Sequence, residues 1–246
     1  MVRKMNKYRT DLACEKQDLK NLFCNNYEEN NIKVSTIHDE NYFYKIIEFS
    51  YLNNENIKTI LKKELLNCLK SYSINKDSHF FIIGLGNDNH TADSVGPKAL
   101  KYIIANSYLE NLGITLNAPK ISSLEPGVLG ETGIETKRII ESITLEINPN
   151  FIILIDAYVS SDIKYLNKCI QITNKGITPS SGLNGIGTEI SENTLGIPIL
   201  VIGIPTAIEM IINNKTYFLS TKDIDSYVDT ISKIIGESIQ EVLYHI

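Results

Sequence analysis

The segment FFIIGLGNDNHTADSVGP (residues 80–97) passes from a run that is apolar at every position, through two closely spaced glycines, into a polar turn containing Asp93. A half-exposed strand alternates polar and apolar residues, so an unbroken apolar run is the mark of a strand covered on both faces. Two more such runs occur, FIILI (151–155) and ILVIGI (199–204), with stretches of helical spacing between them. Together they predict an α/β domain, a three-layer αβα sandwich around a mostly parallel central sheet. Reacting groups in open sheets of this class collect at the carboxyl ends of the strands. Attention therefore falls on Asp93, just past the first run, and on Asp156, which directly follows the second.

The rest of the chain fits around these runs. Alternation in residues 32–37 and the stretch NYFYKIIEF (41–49) predict two strands before the first run. Apolar residues Ile57, Ile60, Leu61, Leu65, Leu66 and Leu69 predict an amphipathic helix over 56–72. Helical stretches are expected at 94–108 and 133–147, a short strand at 169–173, and a closing helix over 221–244 capped by Ser220 or Thr221. No internal repeat or low-complexity tract interrupts the pattern.

Composition narrows the class of function. With 246 residues, 43% of them hydrophobic, the chain can bury a sizeable core. A net charge of −5 does not suit a partner such as nucleic acid or an anionic membrane, which demands clustered Lys and Arg. Four cysteines without a CxxC pair, and without His at ligand spacing, give no zinc motif and no disulfide framework. The N-terminal residues lack the apolar stretch of a secretory signal, and nothing approaches the ~20 apolar residues of a membrane span, so a cytoplasmic protein is expected.

Gly84-Leu85-Gly86 lacks the third glycine and immediate helix of a dinucleotide fingerprint, and there is no GK[ST] of a phosphate loop. Acidic residues in the turn would repel phosphate besides, so no cofactor is expected. Asp93 and Asp156 each fit two roles, a cap on the turn or helix that follows, or a catalytic carboxylate. Two carboxylates delivered from separate strands can share a proton, one activating water while the other protonates the leaving group. The same pair with His90 as a further ligand would instead hold a divalent metal that activates water. Asn87 and His90 in the first turn, Thr178 and Ser181 in the glycine-rich loop 177–191, and Thr206 beyond the third run are candidate site-lining residues; Thr206 also fits the cap of a following helix.

The blocks GLGNDNHTADSVGP (84–97), EPGVLGETGIET (125–136), NPNFIILIDA (148–157) and EISENTLGIPILVIGIPTAIE (189–209) resemble, in order, the signature blocks of the germination proteases. YRTDLACE (8–15) resembles that family's propeptide junction, and STKDIDSYVDTISKIIG (220–236) its C-terminal segment. The resemblance implies an endopeptidase that degrades small acid-soluble spore proteins at germination, located in the forespore and spore core. It implies a fold similar to hydrogenase maturation proteases, a homotetramer, and Asp93 and Asp156 as the catalytic pair. It also implies a self-processing zymogen that cuts after an acidic residue followed by a large apolar residue and Ala. Asp11-Leu12-Ala13 fits that pattern. A propeptide of residues 1–11, cut between Asp11 and Leu12, and a single peptidase domain of residues 12–246 are therefore expected.

Departures from the family pattern concern charge and length. Ala92 stands where the family usually has Pro, Ser161 where it has Arg, and Thr178 where it has His. Asn184-Gly185-Ile186-Gly187 replaces a basic cluster, and the stretch between Met210 and Tyr217 is short where the family has a long excursion. Fewer cations near two carboxylates should raise their pKa values.

Overall fold

The computed structural model describes residues 9–16, 18–19, 22, 24–39, 41–179, 188–213 and 215–246. Ser181 and Asn184-Gly185-Ile186-Gly187 lie outside the described residues. The elements are β1 (Cys24–Glu29), β2 (Ile32–Asp39), β3 (Tyr42–Phe49), α1 (Asn54–Leu69), β4 (His79–Gly84), α2 (Val95–Leu100), β5 (Lys120–Leu124), α3 (Leu129–Thr132), α4 (Thr136–Ile147), β6 (Phe151–Ser160), β7 (Cys169–Thr173), α5 (Glu192–Leu195), β8 (Ile199–Ile212), β9 (Lys215–Leu219) and α6 (Ile224–Tyr244).

The strands form one mixed sheet in the order β1-β2-β3-β7-β8-β6-β4-β5, with β9 paired to β8. The three apolar runs are β4, β6 and β8, and they pair in parallel with one another and with β5. The other pairings are antiparallel. The parallel character foreseen for the sheet thus belongs to the four strands that carry the site, and an antiparallel wing extends it.

Both faces are covered, which is why β4, β6 and β8 are apolar throughout. One face is sealed by α1, α2 and α6 through Ile57, Leu61, Val95, Val228, Ile231 and Ile235. On its surface Lys58 meets Glu237 at 2.8 Å, and Lys62 meets Glu241 at 2.8 Å. The other face is covered by α4 through Ile140 and, unexpectedly, by the N-terminal residues Leu12 and Ala13, both 0% exposed.

Several boundaries differ from the sequence reading. α2 stops at Leu100, where residues 94–108 read as one helix. The chain leaves the helix because Ile104 N–H donates to Gln240 Oε1 on α6 at 2.6 Å and Asn106 N–H donates to the Ile121 carbonyl at 2.9 Å. β6 continues five residues past the apolar run, so Asp156 lies inside a strand. No helix follows Thr206: β8 runs on to Ile212 and turns back through Asn213 at φ 50° into β9. A hairpin thus joins β8 to β9 where the sequence reading noted a short stretch between Met210 and Tyr217. The N-cap of α6 is Asp223. Ser220 Oγ instead donates to the Thr206 carbonyl, and Thr221 Oγ1 accepts from Asn167.

Candidate functional site

β4 lies between β5 and β6, with α2 on one face of the sheet and α4 on the other. The connection leaving β4 runs toward β5 and that leaving β6 runs the other way toward β7, so the two part at the carboxyl ends of β4 and β6 and open the crevice where sheets of this class hold their ligands. Asp93 reaches it from the turn after β4, and Asp156 from within β6. Neither is a cap, since the position before α2 is Ser94 and Asp156 is a strand residue.

The turn that carries Asp93 depends on glycine. Gly86 has φ +111°, and a Cβ there would sit 1.9 Å from the Asp93 carbonyl oxygen. At Gly96 the start of α2 crosses β4 and β6 so closely that a Cβ would lie 2.3 Å from the Leu85 carbonyl oxygen. The two glycines thus let the turn fold back on the strand, and the Asn87 N–H donates to the Asp93 carbonyl at 3.0 Å. Thr206, 1% exposed, donates its hydroxyl to the Ala92 carbonyl at 2.5 Å. It buttresses the turn from β8 and does not line the site.

Asn87, 5% exposed, donates to Glu131 Oε1 at 2.8 Å, and Asn89 donates to the same oxygen at 3.1 Å. Glu131, in the ETGIET block, had been given no role from sequence. His90 is exposed at the head of the turn, and its charge is felt at Asp93. Thr178 is exposed, after the strand that holds Gln171. Among the described residues, no three His, Cys, Asp or Glu side chains gather where one metal ion would be held, so Asp93, Asp156 and His90 do not form a ligand set.

The electrostatics separate the two carboxyls. Burial pushes Asp93 up to about 6, opposed by His90 and the Asn87 backbone N–H and assisted by Glu131. Asp156 is pushed well above the usual carboxylate range, first by burial, then by the charges of Asp93 and Asp11. Both carboxyls are thus held above the ordinary carboxylate range, each chiefly by burial, and Asp156 is raised further by its acidic neighbours Asp93 and Asp11.

The N-terminal segment runs over this arrangement. Asp11 pairs with β6 three residues beyond Asp156: its N–H donates to the Val159 carbonyl at 2.9 Å, and its Oδ2 accepts from the Val159 N–H at 2.9 Å. The Arg9 guanidinium lies 3.6 Å from Asp11 Oδ1, and the Arg9 N–H donates to Glu209 at 2.8 Å. Gln171, 1% exposed on β7, accepts from the Ala13 N–H at 2.7 Å and donates to the Asp11 carbonyl at 3.4 Å. Downstream, Glu15 accepts from the Ser160 hydroxyl at 2.8 Å and from the Ser161 N–H at 2.9 Å. A hydroxyl and a backbone amide at residues 160–161 thus meet the Glu15 carboxylate.

Asp156, Gly203 and Gln171 occupy one row across β6, β8 and β7. Gly203 leaves room for the Tyr158 ring, which a Cβ there would meet at 2.0 Å. Burial drives the Tyr158 phenol far above its ordinary range, so it stays a neutral hydroxyl. A signal for Gln171 was present in the sequence: CIQIT has one amide in a strand that is buried throughout. The role of Val159 is played by its backbone, which no side chain announces.

A family model described as germination protease matches residues 2–219. The chain belongs to the germination protease family. Its relatives include the germination protease of Priestia megaterium, 39% identical over 160 residues, covering 64% of this chain and 43% of the relative. The germination protease of Bacillus licheniformis is 32% identical over 234 residues, covering 82% of this chain and 64% of the relative. That of Bacillus subtilis is 34% identical over 160 residues, covering 64% of this chain and 44% of the relative. The chain thus spans about half the length of the curated relatives it matches.

Proposed function

We propose that this chain is an endopeptidase that cuts small acid-soluble spore proteins during germination, in the forespore and spore core, with Asp93 as general base and Asp156 as general acid. The observation that carries the reading is the delivery of these two carboxyls, one in the turn after β4 and one within its parallel neighbour β6, to the carboxyl ends of adjacent strands. Asp93 takes a proton from water, the resulting hydroxide attacks the peptide carbonyl, and Asp156 gives its proton to the departing amine. One water is consumed, and a carboxylate and an amine are released. The chain is made as a zymogen that cuts its own Asp11–Leu12 bond. The seating of Asp11 against Val159, on the strand that carries Asp156, supports this.

Assembly with further copies completes the proposal. The outer ends of β8 and β9 expose Met210, Ile211, Ile212, Tyr217, Phe218 and Leu219, an apolar surface that suits a subunit contact. Incubating the full chain with a purified small acid-soluble spore protein tests the activity, and N-terminal sequencing tests the processing. The expected result is cleavage that disappears in Asp93→Asn and in Asp156→Asn, with a new N-terminus at Leu12. Binding without cleavage by the processed chain would make it a non-catalytic relative, and full activity in either Asn variant would sink the paired mechanism.

A further inference from the structure

Gln171 is an amide in a buried strand, and it touches the chain on both sides of the Asp11–Leu12 bond. Its two terminal atoms are distinguishable by their partners. The Ala13 N–H at 2.7 Å requires an acceptor, so that position is Oε1. The remaining NH₂ then faces the Asp11 carbonyl oxygen at 3.4 Å and also the Tyr158 hydroxyl oxygen beside it. The first of these bonds is of ordinary length, and the second is stretched.

That asymmetry has chemical content. A donor that holds a ground-state carbonyl tightly lowers the energies of substrate and transition state alike and accelerates nothing. A donor held slightly off the carbonyl gains most when the oxygen acquires charge and moves out of the amide plane. The short bond to Ala13 fixes the amide plane, so the NH₂ cannot turn away. Burial at 1% exposure removes competing water, which strengthens an interaction with developing charge. Asp93 and Asp156 are both acidic, and the Gln171 amide donates to the Asp11 carbonyl.

We infer that Gln171 is a catalytic residue of this peptidase: its Nε2–H₂ stabilises the oxyanion formed on the residue before the cut, while its Oε1 holds the N–H of the second residue after it. The inference rests on the reading that the Asp11–Leu12 bond is cleaved. As water adds to the Asp11 carbonyl carbon, the carbonyl electron pair moves onto oxygen beside Nε2. When the C–N bond to Leu12 breaks, that pair returns to re-form the carbonyl and Asp156 supplies the proton to nitrogen. The amide neither gains nor loses a proton. A peptide cut in trans must offer the same two backbone groups, whatever its side chains.

The test compares Gln171→Glu with Gln171→Leu in the full chain. Ionised glutamate keeps the acceptor for Ala13 and loses the donor, so its variant is read above the pH at which the new carboxyl gives up its proton; leucine loses both. Self-cleavage is followed by mass spectrometry, and kcat and KM are measured on a synthetic peptide of residues 7–17. Each variant is assayed on the plateau of its own pH profile, because the added carboxylate of Gln171→Glu shifts neighbouring titrations. Gln171→Glu is expected to lower kcat by about 10²–10³-fold with KM little changed, the loss typical of one oxyanion donor. Gln171→Leu should add a rise in KM and faster amide exchange at Ala13. If Gln171→Leu does not fold, Gln171→Glu decides alone. Wild-type kcat in Gln171→Glu, or a change confined to KM, overturns the inference and leaves the peptidase reading intact. An inert wild-type chain overturns both.

Discussion

The two faces of the sheet are built for different ends. Under α1, α2 and α6 the contacts are apolar and the charges stay at the rim, where Lys58, Lys62, Glu237 and Glu241 face solvent. The buried exception, Glu64, is matched by Lys45 and by the Tyr27 hydroxyl at 2.8 Å. The opposite face gathers the half-buried Asp156 with the buried Tyr158 and Gln171 in a small area and covers it with the chain's own N-terminal residues. The helical face keeps its ionised groups paired or at the rim, whereas the opposite face sets a carboxyl, a phenol and an amide side by side beneath a single segment of chain.

The sharpest way to break this comparison is to neutralise the carboxyls. Asp93→Asn and Asp156→Asn should each lower peptide cleavage by about 10³-fold, read as kcat, within the range of general acid–base catalysis. Both variants should also melt higher than wild type at pH 7 by calorimetry. The sign follows from the raised pKa values: the stability of the protonated carboxyls is fully present below the unfolded value and is lost as pH rises through the folded one. For Asp93 that loss falls between 3.8 and about 6. A variant that melts lower at pH 7 would mean the carboxylate is held by stabilising partners.

The second prediction concerns the sealed face. Leu61→Ala should cost about 2–5 kcal/mol in denaturant unfolding. It should leave the pH dependence of cleavage unmoved, because Leu61 touches only the helical side of the sheet. Third, the rate should fall about tenfold per pH unit below about 6 as Asp93 takes up its proton, and should fall again on the alkaline side as Asp156 loses its own. A profile flat down to pH 4 would remove Asp93 from the role of base. The smallest effect is expected at the downstream anchor. Ser160→Ala removes one of three donors to Glu15, leaving the Thr10 hydroxyl and the Ser161 N–H, a loss of about 1.5–3 kcal/mol when the acceptor is charged. Self-cleavage should slow by less than in the Asp variants, and kcat on peptides ending before this position should not change.

Much of the helical face was legible in the sequence, because burial there is purely apolar and apolar periodicity reports it. β4, β6 and β8 were readable as unbroken runs for the same reason. What escaped was tertiary in origin. Thr206 reads as a helix cap until the Ala92 carbonyl is placed beside it, and the end of α2 is set by Gln240 on a distant helix. β5, KISSL, is half polar and gave too weak a pattern to be read as a strand. Asp93 and Asp156 stood out as acids beside apolar strands, yet Gln171 did not. A single amide in five residues announces burial without saying what it faces.

The segment that crosses the site is anchored on both sides of the Asp11–Leu12 bond. Upstream, Asp11 is held by Val159 and Arg9 by Glu209; downstream, Gln171 grips Ala13, Ser160 and Ser161 grip Glu15, and Leu12 is wholly buried. The hydrolysis proposed at Asp11 would break none of the downstream holds. The enzyme would therefore emerge from maturation still occupied by its first product, tethered to itself at a fixed effective concentration that no dilution lowers. Its readiness would be governed by how often that tail lets go, a clock carried by each molecule and indifferent to how many others surround it.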